Sequence, residues 1–184
     1  MISKRVVGIV GMPGSGKSVA DGVAKEMDFF VIIMGDIIRE ETAKRGLDPT
    51  PENIGKVMVE IRREEGSVVV AKRCNPKIQG LPNMNIIVEG IRNLAEVNEF
   101  HSQFPGFKLI AIHASPVTRF NRIFNRNRSD DAMNWQTFVN RDLREIEVGI
   151  GSAIALADYA IVNEDSSSCF KTNIRRCLKA IISE

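Results

Sequence analysis

Histidine is scarce in this 184-residue sequence, and neither His101 nor His113 has a serine or cysteine arranged with it as a nucleophile and its base would be. Covalent catalysis finds no constellation here, and His113 reads as a packed or hydrogen-bonded imidazole rather than a base. The cysteines, Cys74, Cys169 and Cys177, are odd in number and lack C-x-x-C spacing. That excludes a disulfide framework and a zinc site and leaves reduced thiols packed as small apolar groups. A formal net charge of +2 provides no bulk attraction to nucleic acid or to a membrane surface, so any basic work is local and a nucleic-acid partner is disfavoured. No run approaches the roughly 18 to 20 apolar residues of a membrane span. Met1-Ile2-Ser3-Lys4-Arg5 leads into the first apolar run without a signal-peptide h-region, and the expectation is a cytoplasmic protein. Internal repeats, low-complexity segments and linkers are also missing, so the expectation is one domain over 1–184.

What the chain does contain is a complete phosphate-binding loop. Gly11-Met12-Pro13-Gly14-Ser15-Gly16-Lys17-Ser18 spells G-x-x-x-x-G-K-S, after the apolar run Val6-Val7-Gly8-Ile9-Val10 and before a helical pattern through Met27. The run reads as a buried parallel strand, and the helix starts at the loop with its N-terminus toward the bound anion. Each residue type then has a task. The glycines let backbone N–H groups turn inward around phosphate oxygens, Lys17 supplies a point charge to the β- and γ-phosphates, and the Ser18 hydroxyl ligates a cation. The cofactors expected are ATP and Mg²⁺.

The remainder alternates strand-like and helix-like runs, which is the grammar of an α/β domain. Strands are expected at 5–10, 29–34, 85–89, 108–113 and 158–162, each covered on both faces. Helices are expected at 17–27, 36–45, 51–65, 69–77, 94–104, 116–127, 134–148 and 167–182. Thr50-Pro51 is a helix start with a hydroxyl cap and proline in the first turn. Residues 36–80 form a helical excursion between the second and third strands.

Two further sites fall beyond strand C-terminal ends, where open parallel sheets bind ligands. Gly35-Asp36-Ile37-Ile38-Arg39 follows the second strand, so Asp36 is expected to cap the next helix with Arg39 one turn on. Glu89-Gly90-Ile91-Arg92 ends the third strand, with Asn93 as the next cap. Glu89 is placed to hold the Mg²⁺ shell through water and Arg92 to grip an acceptor phosphate. A basic group, Arg119, Arg122, Arg126 and Arg128, precedes Asp130, Asp131 and Arg141. The first three share a helical face and read as an arginine-bearing lid that neutralises transferring charge and expels water.

The loop, Gly35-Asp36-x-Ile38-Arg39 and Glu89-Gly90-Ile91-Arg92 together resemble the three signatures of the adenylate kinase and nucleoside monophosphate kinase family. Ala157-Asp158-Tyr159-Ala160-Ile161-Val162-Asn163, with Asp36-Ile37-Ile38, is similar to dephospho-CoA kinase of the same superfamily. As a whole the chain is most similar to a small archaeal group of adenylate kinase-related proteins. That resemblance implies a P-loop NTPase fold, a five-stranded parallel sheet of order 2-3-1-4-5 flanked by helices. The helical region 36–80 would bind the acceptor and a lid would span 119–142. It implies transfer of the ATP γ-phosphate to a nucleoside monophosphate, AMP first. Lys17, Asp36, Arg126 and Arg128 would then be catalytic, Asp36, Arg39 and Arg92 would bind the acceptor, and Ser18 and Glu89 would serve the metal. In the dephospho-CoA alternative Asp36 orients a 3′-hydroxyl while Arg39 and Arg92 turn to the pyrophosphate; in a third, ATP binds a regulatory protein without transfer. The chain departs from the adenylate kinase pattern by one residue fewer between Glu89 and Arg92 and by a longer gap from Asp131 to Arg141.

Overall fold

A computed structural model describes residues 4–126 and 134–184. The described elements are β1 (Arg5–Val10), α1 (Lys17–Glu26), β2 (Phe30–Ile33), α2 (Met34–Lys44), α3 (Pro51–Glu65), α4 (Val69–Gly80), β3 (Asn85–Ile91) and α5 (Leu94–Gln103). There follow β4 (Lys108–His113), α6 (Pro116–Arg126), α7 (Trp135–Val148), α8 (Ile150–Ala155), β5 (Tyr159–Val162) and α9 (Ser167–Ser183). The strands form one sheet of order β2-β3-β1-β4-β5, every adjacent pair parallel. The order expected from the resemblance is the order observed.

Two apolar layers sandwich this sheet. On one face Val6, Val10, Ile86 and Val88 pack against α2 to α5 and α8, with Val57, Ile61, Val70 and Phe100 among the buried partners. On the other Val7, Ile9, Ile87 and Ile110 pack against Ala20, Val23 and Ala24 of α1 and Phe170, Ile174 and Leu178 of α9. Alternate residues of the continuous Val/Ile runs thus bury opposite faces, as a doubly covered parallel sheet demands. The edge strands depart from that expectation: Phe30 on β2 is 42% exposed and Val162 on β5 is 57% exposed. Each has a single sheet neighbour, so apolar residues at its ends reach solvent.

Side-chain caps set several of the helix starts. Thr50 Oγ1 accepts from Asn53 N at 3.2 Å, Asn93 Oδ1 from Glu96 N at 2.9 Å, Asn134 Oδ1 from Thr137 N at 2.8 Å and Ser166 Oγ from Cys169 N at 3.3 Å. Asp36 does not do this. The chain passes from β2 into α2 without a loop, Ile33 flanks the helix and Met34 opens it, so Asp36 lies inside the first turn. Its charge there still suits the positive end of the helix dipole. α4 runs to Gly80, beyond the expected stop, and α8 is an additional short helix entered through Gly149 at φ 109°. Six residues are too few for periodicity to reveal.

One irregularity aims the third strand. The β1–β3 register slips between Ile9, opposite Glu89, and Val10, opposite Ile91. Gly90 is the extra residue, at φ 97°, a left-handed conformation that favours glycine. β3 therefore continues to Ile91, and Glu89 and Arg92 flank a bulge at its C-terminal end.

Candidate active site

The loop between β1 and α1 wraps a space closed by backbone. Ser15 N donates to Met12 O at 3.1 Å, and Gly16 at φ 109° precedes α1 with no side chain capping that helix. Val19 and Ala20 N–H groups bond back to Gly16 O, leaving the first-turn amides of Lys17 and Ser18 for an anion. Glycine at 16 is also a matter of space, since a Cβ there would lie 2.2 Å from Asn163 Nδ2.

Lys17 lies folded onto the loop. Its Nζ donates to Gly11 O at 2.8 Å and Met12 O at 3.4 Å and pairs with Glu89 Oε1 at 3.6 Å. Burial pushes the ammonium below its usual pKa; Glu89 opposes this, and Arg92 and Arg141 add to it. Asp21, one turn after Ser18, is 7% exposed, and its Oδ1 has no hydrogen-bond partner. Burial, reinforced by the Glu89 charge and opposed by Lys17 and Lys25, raises the Asp21 carboxyl to about 7.

The loop is braced by residues from the far side of the sheet. Asn163, just past β5, donates from Nδ2 to Ser15 O at 2.8 Å, and its own carbonyl accepts from Arg122 Nη2 at 3.0 Å. Arg119 donates to Pro13 O at 3.2 Å and Ala114 O at 3.1 Å and forms a fork with Asp142 of α7 at 2.8 and 2.6 Å. It is 4% exposed and lies 5.0 Å from the Phe138 ring centre. The expected three-arginine face is thereby split: Arg119 and Ile123, four residues apart, bury the side of α6 toward the loop, while Arg122 and Arg126 line the cleft. Arg128, Asp130 and Asp131 lie outside the described residues.

A single cleft of about 740 Å³ runs from the loop across the strand ends. Its lining includes Lys17, Ser18, Asp36, Arg39, Glu89, Arg92, Arg126 and Arg141, so most of the sequence-selected residues meet there. Arg39 Nη1 is 2.6 Å from Asp36 Oδ1, with both side chains about half exposed. Arg92 is ion-paired to both carboxylate oxygens of Glu145, a buried residue of α7. Glu96, fully buried, accepts from Arg92 N at 2.8 Å and from Arg62 Nη2 at 2.5 Å, which fixes the backbone that presents Arg92. α3 and α4 contribute none of the lining residues. They support α2 instead, through ion pairs in which Glu60 and Glu64 of α3 hold Arg45 at its end and Arg73 of α4 holds Glu41.

Asp21, Asp142, Glu145 and Asn163 went unselected as site residues at the sequence level. Spacing offered two signals: Asp21 lies three residues after Ser18, and Asp142 and Glu145 are three apart on one helix.

A family model described as an AAA domain matches residues 10–139. The UPF0200 protein of Methanocaldococcus jannaschii is 51% identical over 163 residues, covering 88% of this chain and 82% of that protein. That of Hyperthermus butylicus is 44% identical over 176 residues, covering 96% and 94%. The chain belongs to the UPF0200 family. Among solved structures, shikimate kinase from Acinetobacter baumannii superposes with a TM-score of 0.61 at 12% identity, covering 99% of this chain and 95% of that one. A gluconokinase from Sinorhizobium meliloti gives 0.57 at 13% identity, covering 98% and 97%. At such identities the similarity establishes the fold, so this UPF0200 chain has the architecture of a small P-loop kinase. The acceptor must be argued from the cleft. Among the described residues no helix is long and apolar enough to cross a membrane.

Proposed function

We propose that the protein transfers the γ-phosphate of ATP to a small phosphorylated acceptor, a nucleoside monophosphate, with AMP the first candidate. The observation that carries this is the continuity of the cleft from the phosphate loop to Asp36, Arg39 and Arg92, which supports a donor and an acceptor lying side by side. A monophosphate brings about two negative charges beside a triphosphate, and that repulsion must be offset before the oxygens approach. Arg39 and Arg92 enter from two strand ends, and each is already held by a carboxylate, Asp36 or Glu145. An acceptor phosphate would compete for those guanidiniums by offering several oxygens, enough for the two-nitrogen grip that neither carboxylate takes up. Lys17 and the α1 amides would hold the donor phosphates, and Arg122 and Arg126 line the cleft beside them.

The residues present fit a hard cation. Among the described residues no three acidic, histidine or cysteine side chains cluster to hold a metal. An exposed Ser18 hydroxyl with Glu89 in the same cleft suits Mg²⁺, which keeps most of its water and binds few carboxylates. When bound, that ion would supply charge neutralisation between the β- and γ-phosphates.

A second reading rests on Asp36, whose carboxylate lines the cleft and is oriented by Arg39 at 2.6 Å. That is the arrangement a hydroxyl acceptor such as dephospho-CoA requires of a group that orients or accepts its proton. A coupled assay with ATP against nucleoside monophosphates and dephospho-CoA separates the two. Turnover with AMP alone supports the first, turnover with dephospho-CoA alone replaces it with the second, and turnover with neither moves the protein to a non-catalytic ATP-binding regulator.

A further inference from the structure

Asp21 stands apart from the acids that explain themselves. It shares α1 with Ala20, Val23 and Ala24, all buried in the apolar layer, yet it borders the cleft beside Lys17, Ser18 and Glu89. Its Oδ1 is shut off from solvent with no donor in reach, an arrangement that costs folding free energy unless something else uses it. Residues 18 and 21 lie three apart on one helix, so the Ser18 hydroxyl and the Asp21 carboxyl emerge on the same face.

The charge balance changes when phosphate enters. Without it, Glu89 has Lys17 as its cation at 3.6 Å, and Lys17 is folded onto the carbonyls of Gly11 and Met12. Phosphate oxygens on the loop compete for the same ammonium. Glu89, partly buried, and Asp21, buried, are then left as two acids facing one cleft, and a divalent ion with its water shell is the species that balances them. We propose that Asp21 is the second carboxylate of the cation site, holding with Glu89 the waters of the ion that Ser18 ligates. This rests on the reading of the loop as an ATP site. It adds a residue of α1 itself to that site, so nucleotide and metal affinity are coupled through one helix.

The test needs no turnover. Mn²⁺ binding is followed by electron paramagnetic resonance in the presence of a non-hydrolysable ATP analogue, for wild type, Asp21→Asn, Asp21→Ser and Glu89→Gln. Each variant is expected to weaken Mn²⁺ in the ternary complex by about five- to twentyfold, the scale of losing a group that orients metal-bound water. Affinity for the analogue without metal is expected not to fall, because a negative charge near the phosphates has been removed. Asp21→Ser serves if the amide variant fails to fold. Mn²⁺ affinity within twofold of wild type in a folded Asp21 variant overturns the assignment and returns Asp21 to a protonated core acid. Wild type that binds the analogue neither with nor without Mn²⁺ overturns the ATP-site reading and this inference together.

Discussion

Asp21→Asn should make the nucleotide-free protein more stable above neutral pH and leave it nearly unchanged in acid. The carboxyl has an ordinary value of 3.8 and is raised to about 7 in the fold, first by burial and then by the Glu89 charge. Between those values the native state holds a proton that the unfolded chain has released. Stability therefore falls as pH rises from about 4 to about 7 and is level beyond. A separation of about three pH decades, at about 1.4 kcal/mol each, sets a ceiling of about 4 kcal/mol on the penalty at pH 8. Asparagine keeps the shape of the neutral acid and never ionises. Urea unfolding of both proteins at half-unit pH steps, without nucleotide or metal, should show the variant ahead by about 2 to 4 kcal/mol at pH 8, with the gap closing toward zero near pH 4. Taking the difference between the two proteins cancels carboxylates that titrate equally in both. A gap independent of pH would show that the fold does not raise the Asp21 carboxyl, and a variant less stable than wild type at pH 8 that draws level in acid would show that Asp21 is ionised and stabilised in the fold; either goes against the reasoning from its unpartnered oxygen.

Lys17→Ala is expected to lower kcat/KM by a thousandfold or more, about 4 kcal/mol at the transition state, with urea stability within about 1 kcal/mol of wild type. An unchanged rate and ATP affinity would refute the role. Arg92→Ala should cost about a hundredfold in kcat/KM for AMP, about 3 kcal/mol, with Asp36→Asn milder; the reverse order in an acceptor panel favours the hydroxyl reading. Arg92→Ala also strands buried Glu145, so adding Glu145→Gln should recover part of the lost melting temperature without recovering AMP turnover. Asn163→Ala removes the 2.8 Å bond to Ser15 O and should cost about 1 to 3 kcal/mol in stability and weaken ATP binding, both read by calorimetry. Hydrogen exchange over α6 and the start of α7 should slow when a bisubstrate analogue binds; equal protection with and without it would make Arg126 a static surface residue.

The sheet was legible because its signal is local. Each strand is a short Val/Ile/Phe run bounded by polar residues, and β1 and β4 fall at the expected limits. The phosphate loop was legible for the same reason, since eight consecutive residues carry its geometry. Asp36 was misread as a cap because a capping residue is identified by assuming a loop before it, and β2 has none. Gly90, by contrast, carried an unread clue: a glycine inside a strand pattern marks a bulge, and this one displaces the end of β3 that bears Arg92.

What stayed hidden is charge compensation across the fold. Arg92 and Glu145 are 53 residues apart, Arg119 and Asp142 are 23 apart, and Asn163 meets Ser15 across 148. An arginine written in a sequence is an available cation, whereas in the cleft Arg39 and Arg92 are held by Asp36 and Glu145. That changes the mechanism rather than decorating it. On the proposed reading, an acceptor phosphate would compete with Glu145 for Arg92, and Glu145 lies on α7, the same helix that holds Arg119 through Asp142. Binding at the proposed acceptor end would therefore loosen the Arg92–Glu145 pair of α7 while leaving the Arg119–Asp142 pair beside the phosphate loop. Closure of the cleft would then be conditional on the acceptor. If the proposed transfer holds, that condition would guard ATP against water, because water would not take the place of the α7 carboxylate on Arg92.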